Sequence, residues 1–230
     1  MGGHLGSRTE RPPLRERRRA ATRVEIADEA VRLFVAQGVA ATTAEDIASA
    51  AGISTRTLWR YFRSKEECVR PLLTAGMELI AERLRAHWRK GGAPSRAFED
   101  ADDPGLAAEL HVVALRDLVR LSRDEPGLRA VWLETHFDAE AVFARVIADG
   151  SDRSEHDLAI RLEAGMLNAA LRITVEDWAL QPDGPNGPSP GQSLAHALRV
   201  MTQLLDPETD TAADRKRMVH RPATDSRPPR

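Results

Sequence analysis

Apolar residues in this chain of 230 recur every three or four positions and almost nowhere in strict alternation. That spacing gathers them on one face of an α-helix, whereas alternation would mark a half-buried strand. Aromatic residues make up only 4% of the chain, too few to furnish the packed face of a sheet. The expected fold class is therefore all-α. The length suits one small module and a larger helical body. No run of about 18 apolar residues is present to cross a bilayer.

The first stripe is Ala20, Val24, Ala27, Val31 and Phe34, ended by Gly38. Thr42 and Thr43 are suited to cap a short second helix. Glu45 and Asp46 stand in its first turn, where negative charge opposes the helix dipole favourably. That helix supplies Ile47, Ala48 and Ala51 to a core and stops at Gly52, a residue that takes a left-handed turn cheaply. Ser54 caps a third helix whose Leu58 and Phe62 point back into the same core. Ser64, with Glu67 three residues on, opens a long fourth helix, and Pro71 in its third turn is expected to bend it. After a Gly91 to Gly105 linker come helices over Leu106 to Arg123, Leu128 to Ala148 with a break near His136, Glu155 to Leu180, and Ser193 to Leu205. The Gly-, Pro- and charge-rich ends are expected to be disordered. The resulting division is a basic arm over 1–15, a helix-turn-helix domain over 16–64, a C-terminal helical domain over 65–206 and a tail over 207–230.

Two short helices joined by a tight glycine turn form the unit that fits a helix into the DNA major groove. With Leu58 and Phe62 facing inward, Thr55, Arg56, Trp59 and Arg60 are left exposed, with Thr57 and Tyr61 at the margins. Arg56 can donate two hydrogen bonds to guanine, and Thr55 can meet base edges or a thymine methyl. Thr43, Ser54 and Lys65 sit at helix N-termini, where hydroxyl, ammonium and backbone N–H groups suit phosphate. Charge is distributed accordingly. Met1 to Lys65 holds twelve Arg or Lys against seven Asp or Glu, a local +5 in a chain of net charge −2. Each observation has a plainer reading as well. Glycine-turned helix pairs occur in proteins that never touch DNA, Trp59 or Tyr61 could be core, and Arg15, Arg17, Arg18 and Arg19 could simply keep a tail soluble.

The run ADEAVRLFVAQGVAATTAEDIASAAGISTRTLWRYFRSKEE, Ala27 to Glu67, resembles the N-terminal domain of the TetR family of one-component regulators. The marks are Phe34 and Gly38, Thr42–Thr43, Asp46–Ile47–Ala48, Ala51–Gly52–Ile53–Ser54, Thr57–Leu58, Tyr61–Phe62 and Ser64–Lys65–Glu66. Trp59 departs from the usual Tyr or Phe and keeps an aromatic. The resemblance implies a homodimer whose interface is built from the last two long helices, here Glu155–Leu180 and Ser193–Leu205. The first would offer Leu158, Leu162, Gly165, Ala169 and Ile173, and the second Leu194, Leu198, Met201 and Leu205, although each could equally be core within one chain. It further implies a pseudo-palindromic DNA operator, and a small-molecule effector that enters the C-terminal body, moves the Lys65 to Lys90 lever and releases repression. Arg116, Trp132, His136, Phe137, Met166 and Asn168 put polar groups or large aromatics on otherwise apolar helices and are the effector-binding candidates, each with an ordinary packing or surface role as its alternative.

Catalysis finds no support. There is no glycine-rich phosphate loop, Gly-x-Ser-x-Gly elbow or His-Glu-x-x-His helix, and no cofactor motif. Cys68 is the single cysteine, which excludes an intramolecular disulfide and a cysteine-cluster metal site. His111 and His196 lack a histidine or cysteine partner at helical spacing, so no metal is expected. Met1 to Arg19 lacks the apolar core of a secretory signal, which favours a cytoplasmic protein. An architectural DNA-coating protein is the alternative to a promoter-specific regulator.

Overall fold

Pro13, extended at φ −51° and ψ 148°, starts helix α1 (Leu14–Gln37), and Gly38 ends it at φ +84° with its N–H on the Phe34 carbonyl. The molecule is described by a computed structural model over residues 13–89, 111–151, 153–182 and 189–205, with 202–205 described by backbone alone. Leu14 and Arg15, assigned from sequence to a disordered arm, are the first turn of α1. Residues 1–12 of that arm, the 91–105 linker and the 207–230 tail lie outside the described residues.

The first three helices and their loops form the head. α2 (Ala44–Ala50) begins at Thr43, and Asp46 completes a reciprocal capping box. The Asp46 N–H donates to Thr43 Oγ1 at 3.1 Å, and the Thr43 N–H donates to Asp46 Oδ2 at 2.9 Å. Gly52 turns the chain at φ +66°, conformationally expensive for any residue with a Cβ. α3 (Thr55–Tyr61) is capped by Ser54, whose Oγ accepts from the Thr57 N–H at 3.2 Å. Ile26, Ala27, Ala30, Val31 and Phe34 of α1 pack with Ile47, Ala48, Leu58 and Phe62.

The body follows a 3-10 turn (Glu66–Val69) and comprises α4 (Arg70–Trp88), α5 (Val112–Leu121), α6 (Pro126–Asp149), α7 (Leu158–Leu180) and α8 (Pro190–Leu205). Two sequence expectations need correction. Pro71 stands in the first turn of α4, because the 3-10 turn absorbs the residues before it. No intrahelical donor is needed there, so the proline bends nothing. The break near His136 is absent. Leu128, Val131, Trp132, Thr135, His136, Ala139, Phe143 and Val146 keep helical spacing through the whole of α6, and all are buried. Continuous burial at that period gives the helix no place to end. All described secondary structure is helical, and head and body share one continuous core.

Contacts around the 3-10 turn and a His111–Asp28 contact join head to body. Arg70 Nη2 meets Glu134 at 2.6 Å and Glu67 at 3.2 Å. His111 Nδ1 meets Asp28 Oδ2 at 2.9 Å, with His111 itself left-handed at φ 47°. Glu66 lies against Gly127, where a Cβ would come within 2.9 Å of Glu66 Cγ. Cys68 is sealed in this junction, and burial pushes its thiol up to about 12.

Candidate nucleic-acid interface and interior polar cluster

α3 buries only Leu58 among its seven residues. Phe62, just past its end, is also in the core. Arg56, Trp59 and Arg60 are exposed, with Trp59 47% accessible, while Thr55, Thr57 and Tyr61 are half-buried at the edges. A large aromatic on a solvated helix is unfavourable unless something covers it, so Trp59 is the α3 residue hardest to explain without a partner. Two cations lie over the Tyr61 ring: the guanidinium carbons of Arg60 and Arg19 stand 5.2 and 5.6 Å from its centroid. The Arg60 contact, foremost, draws the Tyr61 hydroxyl below its usual range.

Of the three residues expected to meet phosphate, each has another task in the free protein. Thr43 Oγ1 donates to Asp46 Oδ2 at 2.7 Å while capping α2, and these bonds hold the exposed Asp46 carboxyl below its ordinary range. Ser54 Oγ shares a 2.9 Å hydrogen bond with Thr57 Oγ1. Lys65 departs furthest from the expectation. Its Nζ donates to the Val39 carbonyl at 2.5 Å and to the Thr42 carbonyl at 2.9 Å. With two of three ammonium donors used this way, Lys65 fastens the α1–α2 loop. Buried Thr42 helps by donating to the Gly38 carbonyl at 2.8 Å. Sequence reasoning missed Arg19 and Arg23 of α1, the latter 5.6 Å from the Phe62 centroid. The basic run was visible, but its return onto α3 depends on how α1 crosses the head.

The six effector candidates separate into three groups. Trp132, His136 and Asn168 meet in the interior where α6 packs on α7. His136 Nδ1 lies 2.8 Å from Asn168 Oδ1, and Asn168 Nδ2 donates to the His136 carbonyl at 2.8 Å. The second bond fixes which way the amide points, so its oxygen faces Nδ1 and the ring must carry its proton there. Nε2 is consequently a bare acceptor, buried and without a protein partner. Burial, foremost, depresses the His136 pKa and Arg172 adds to this, against the opposing influences of Asn168 and Glu176. Trp132 stacks edge-on at 4.3 Å from the imidazole, and its Nε1 donates to Glu176 at 2.8 Å.

Arg116 instead serves the end of α7. Its Nη2 donates to the Trp178 carbonyl at 3.3 Å, and its guanidinium stands 4.5 Å from the Trp178 ring centroid. Neighbouring Arg120 donates to the carbonyls of Ala179 and Gln181, so together they satisfy a helix C-terminus. Phe137 and Met166 point outward, 73% and 40% accessible. Phe137 follows buried His136 by one helical step of about 100°, which carries it off the core face. Met166 lines an outer groove between α7 and α8 with Ala169, Ile173 and Val200.

The expected interface stripes divide in the same way. Leu158, Leu162 and Ile173 of α7 are exposed, with no cover among the described residues. Leu194 and Leu198 of α8 are buried within the chain. The Leu205 side chain lies outside the described residues. Among the described residues no helix is long and apolar enough to cross a membrane, and no three potential metal ligands cluster.

Residues 26–71 match the model for bacterial regulatory proteins of the tetR family, and residues 105–210 match the MftR C-terminal domain. The transcriptional regulator TcmR of Streptomyces glaucescens is 33% identical over 186 residues, spanning 75% of this chain and 79% of that protein. The chain belongs to the TetR family. Its membership makes it a DNA-binding transcriptional regulator and not an enzyme. Another relative, the HTH-type transcriptional repressor KstR2 of Rhodococcus jostii, is 29% identical over 61% of this chain and 72% of that protein. The crystal structure of Thermus thermophilus FadR, a TetR-family repressor in complex with lauroyl-CoA, aligns with 79% of this chain and 93% of that one, at 24% identity and a TM-score of 0.48.

Proposed function

We propose that the protein is a cytoplasmic homodimeric repressor that holds a pseudo-palindromic operator through α3 and lets it go when a small molecule enters the body. The observation that carries this reading is α3 itself, a helix that gives one side chain to the core and turns Arg56, Trp59 and Arg60 to solvent. Thr55, Thr57 and Tyr61 flank that surface, and Thr43 and Ser54 stand at the helix starts beside it. Arg56 is placed to read guanine and Trp59 to cover sugar or a thymine methyl. Lys65 supports the surface from behind. Repression, rather than activation, follows the name of the relative KstR2.

The head is then α1 to α3 with their loops, residues 14–64, and the dimerising, effector-binding part is 65–206. The dimer face is assigned to α7 and the outer side of α8, because Leu158, Leu162, Ile173 and Val200 form an apolar surface that water covers poorly. A twofold axis there would set the two α3 helices about 34–36 Å apart, one turn of DNA. Effector binding is assigned to the interior around Trp132, His136 and Asn168. The bare Nε2 acceptor calls for a ligand hydrogen-bond donor, and a charged group would find poor solvation there. Such a ligand and the operator weaken each other equally through linkage.

Fluorescence anisotropy on the DNA flanking its own gene, at fixed near-physiological salt, tests the reading with Arg56→Ala and Trp59→Ala alongside. Saturable binding to one palindromic segment is expected, weakened about fivefold or more in folded Arg56→Ala, since one good bidentate base contact is worth about 1–3 kcal/mol, and weakened also in folded Trp59→Ala, which loses its apolar cover of sugar or methyl. Weak, equal binding of wild type and variants to all DNA overturns it in favour of an architectural role.

A further inference from the structure

Helix α1 runs for twelve residues before it buries a side chain: Leu14 to Ala21 are all exposed, and Ile26 is the first core residue. At 1.5 Å per residue this is an extension of about 18 Å. It carries Arg15, Arg17, Arg18, Arg19 and Arg23 against Glu16 and Glu25. An exposed helix with a cationic surface has little to hold it. Arg15–Arg18, Arg15–Arg19 and Arg19–Arg23 are like charges at three- and four-residue spacing, which repel, and over Leu14 to Ala21 no apolar side chain is buried to compensate. Among the described residues, Arg15, Arg17 and Arg18 have no ion-pair partner. What fixes the direction of the extension is its other side. Arg19 lies over Tyr61 and Arg23 over Phe62, each at 5.6 Å, so the helix runs beside the C-terminal end of α3.

We infer that the first two turns of α1 are a second DNA-binding surface, engaging the phosphate backbone next to the half-site that α3 reads. The charge is opposite to DNA, the extension is continuous with the recognition surface through Tyr61, and the polyanion relieves the repulsion that the helix otherwise bears. Tyr61 is then a positioning residue, holding Arg19 and Arg60 over its ring and registering the backbone contact against the base contacts. Phosphate contacts carry no sequence information, so this surface adds affinity and lengthens the bound segment without changing the preferred operator.

The inference rests on the operator reading but fails separately from it. The triple variant Arg15→Ala, Arg17→Ala, Arg18→Ala leaves the core untouched, and circular dichroism checks that its helix content is kept. Binding is followed by anisotropy between 50 and 200 mM salt on two duplexes, one ending at the operator edge and one extended by ten base pairs on each side. Each phosphate contact contributes about 0.9 to the slope of log K against log salt. Wild type should bind the extended duplex more tightly and with a steeper slope. The variant should lose about 2–3 units of slope per head and bind the two duplexes equally, with operator preference unchanged. If wild type shows no operator preference, the operator reading has failed. If wild type prefers the operator and the variant keeps its slope and affinity on the extended duplex, the arginine helix serves some other partner and this inference is overturned.

Discussion

Helices α3 and α6 solve the same problem in opposite ways. α3 buries one side chain in seven residues, whereas α6 buries nine in twenty-four. α6 is fixed by the removal of apolar surface from water, roughly 1.5–3 kcal/mol for each large side chain. α3 is too short to exist alone and gains little from burial, so caps and neighbouring loops hold it. Ser54 closes its start, and the loop before α2 is pinned by Thr42 and Lys65. A helix held by its ends keeps its flanks available, as a reading surface requires. A helix held by its flanks can carry a polar interior cluster such as His136–Asn168 at no cost to a partner surface.

The strongest way to break this comparison is to empty one site in each region. Phe143→Ala in α6 should cost about 3–5 kcal/mol and lower the melting temperature by several degrees or more. Operator affinity, measured while the variant is folded, should stay within a few-fold of wild type. Leu58→Ala should cost about 2–5 kcal/mol and remove the only buried anchor within α3. Its operator affinity should fall far more than its melting temperature suggests. Equal operator binding by the two variants would show that α3 does not depend on that anchor.

A cap offers a smaller and sharper test. Thr43→Ala removes the capping box of α2 while leaving every apolar contact in place, and should destabilise by about 1 kcal/mol. The double variant with Asp46→Ala should cost little more than Thr43→Ala alone, because the two side chains act as one unit. Urea denaturation of the single and double variants measures this. Additive losses would mean that each residue works through some other contact.

The head was legible because its determinants are local. Thr43 to Asp46, Gly52 and Ser54 to Thr57 each act within three or four residues, and the structure has them where that spacing puts them. The body was less so. The position of Pro71 within α4 depends on a 3-10 turn that no residue announces. The unbroken run of α6 through His136 is supported by Asn168, 32 residues away, which accepts from the imidazole Nδ1 and donates to the carbonyl of the same residue. The stripe Leu194–Leu198 had the right period for burial, but period cannot say whether the covering surface belongs to the same chain. Lys65 has a task that was hidden for a similar reason: at a helix start it suits phosphate, and only the fold brings the Val39 and Thr42 carbonyls to it.

The smallest expected effect separates the two regions by acid. The His136 pKa lies below that of an unfolded histidine, chiefly because burial disfavours the charged ring. Between the folded value and about 6.5 the unfolded chain holds a proton that the folded chain refuses, so stability rises with pH across that window. The stabilisation is fully present above about 6.5 and is lost as pH falls through the window. Asp46 in the head is shifted the other way relative to its charge. Its carboxyl is held below the ordinary range, so its contribution persists throughout mild acid and is lost only as pH falls toward the folded value. Melting temperatures from pH 7.5 to 5 should therefore fall more for wild type than for His136→Gln, which has no imidazole to charge. Thr43→Ala should follow the wild-type curve at a constant offset. Parallel curves for wild type and His136→Gln would mean that the interior admits the proton, and that the α6–α7 contact is far wetter than its burial implies.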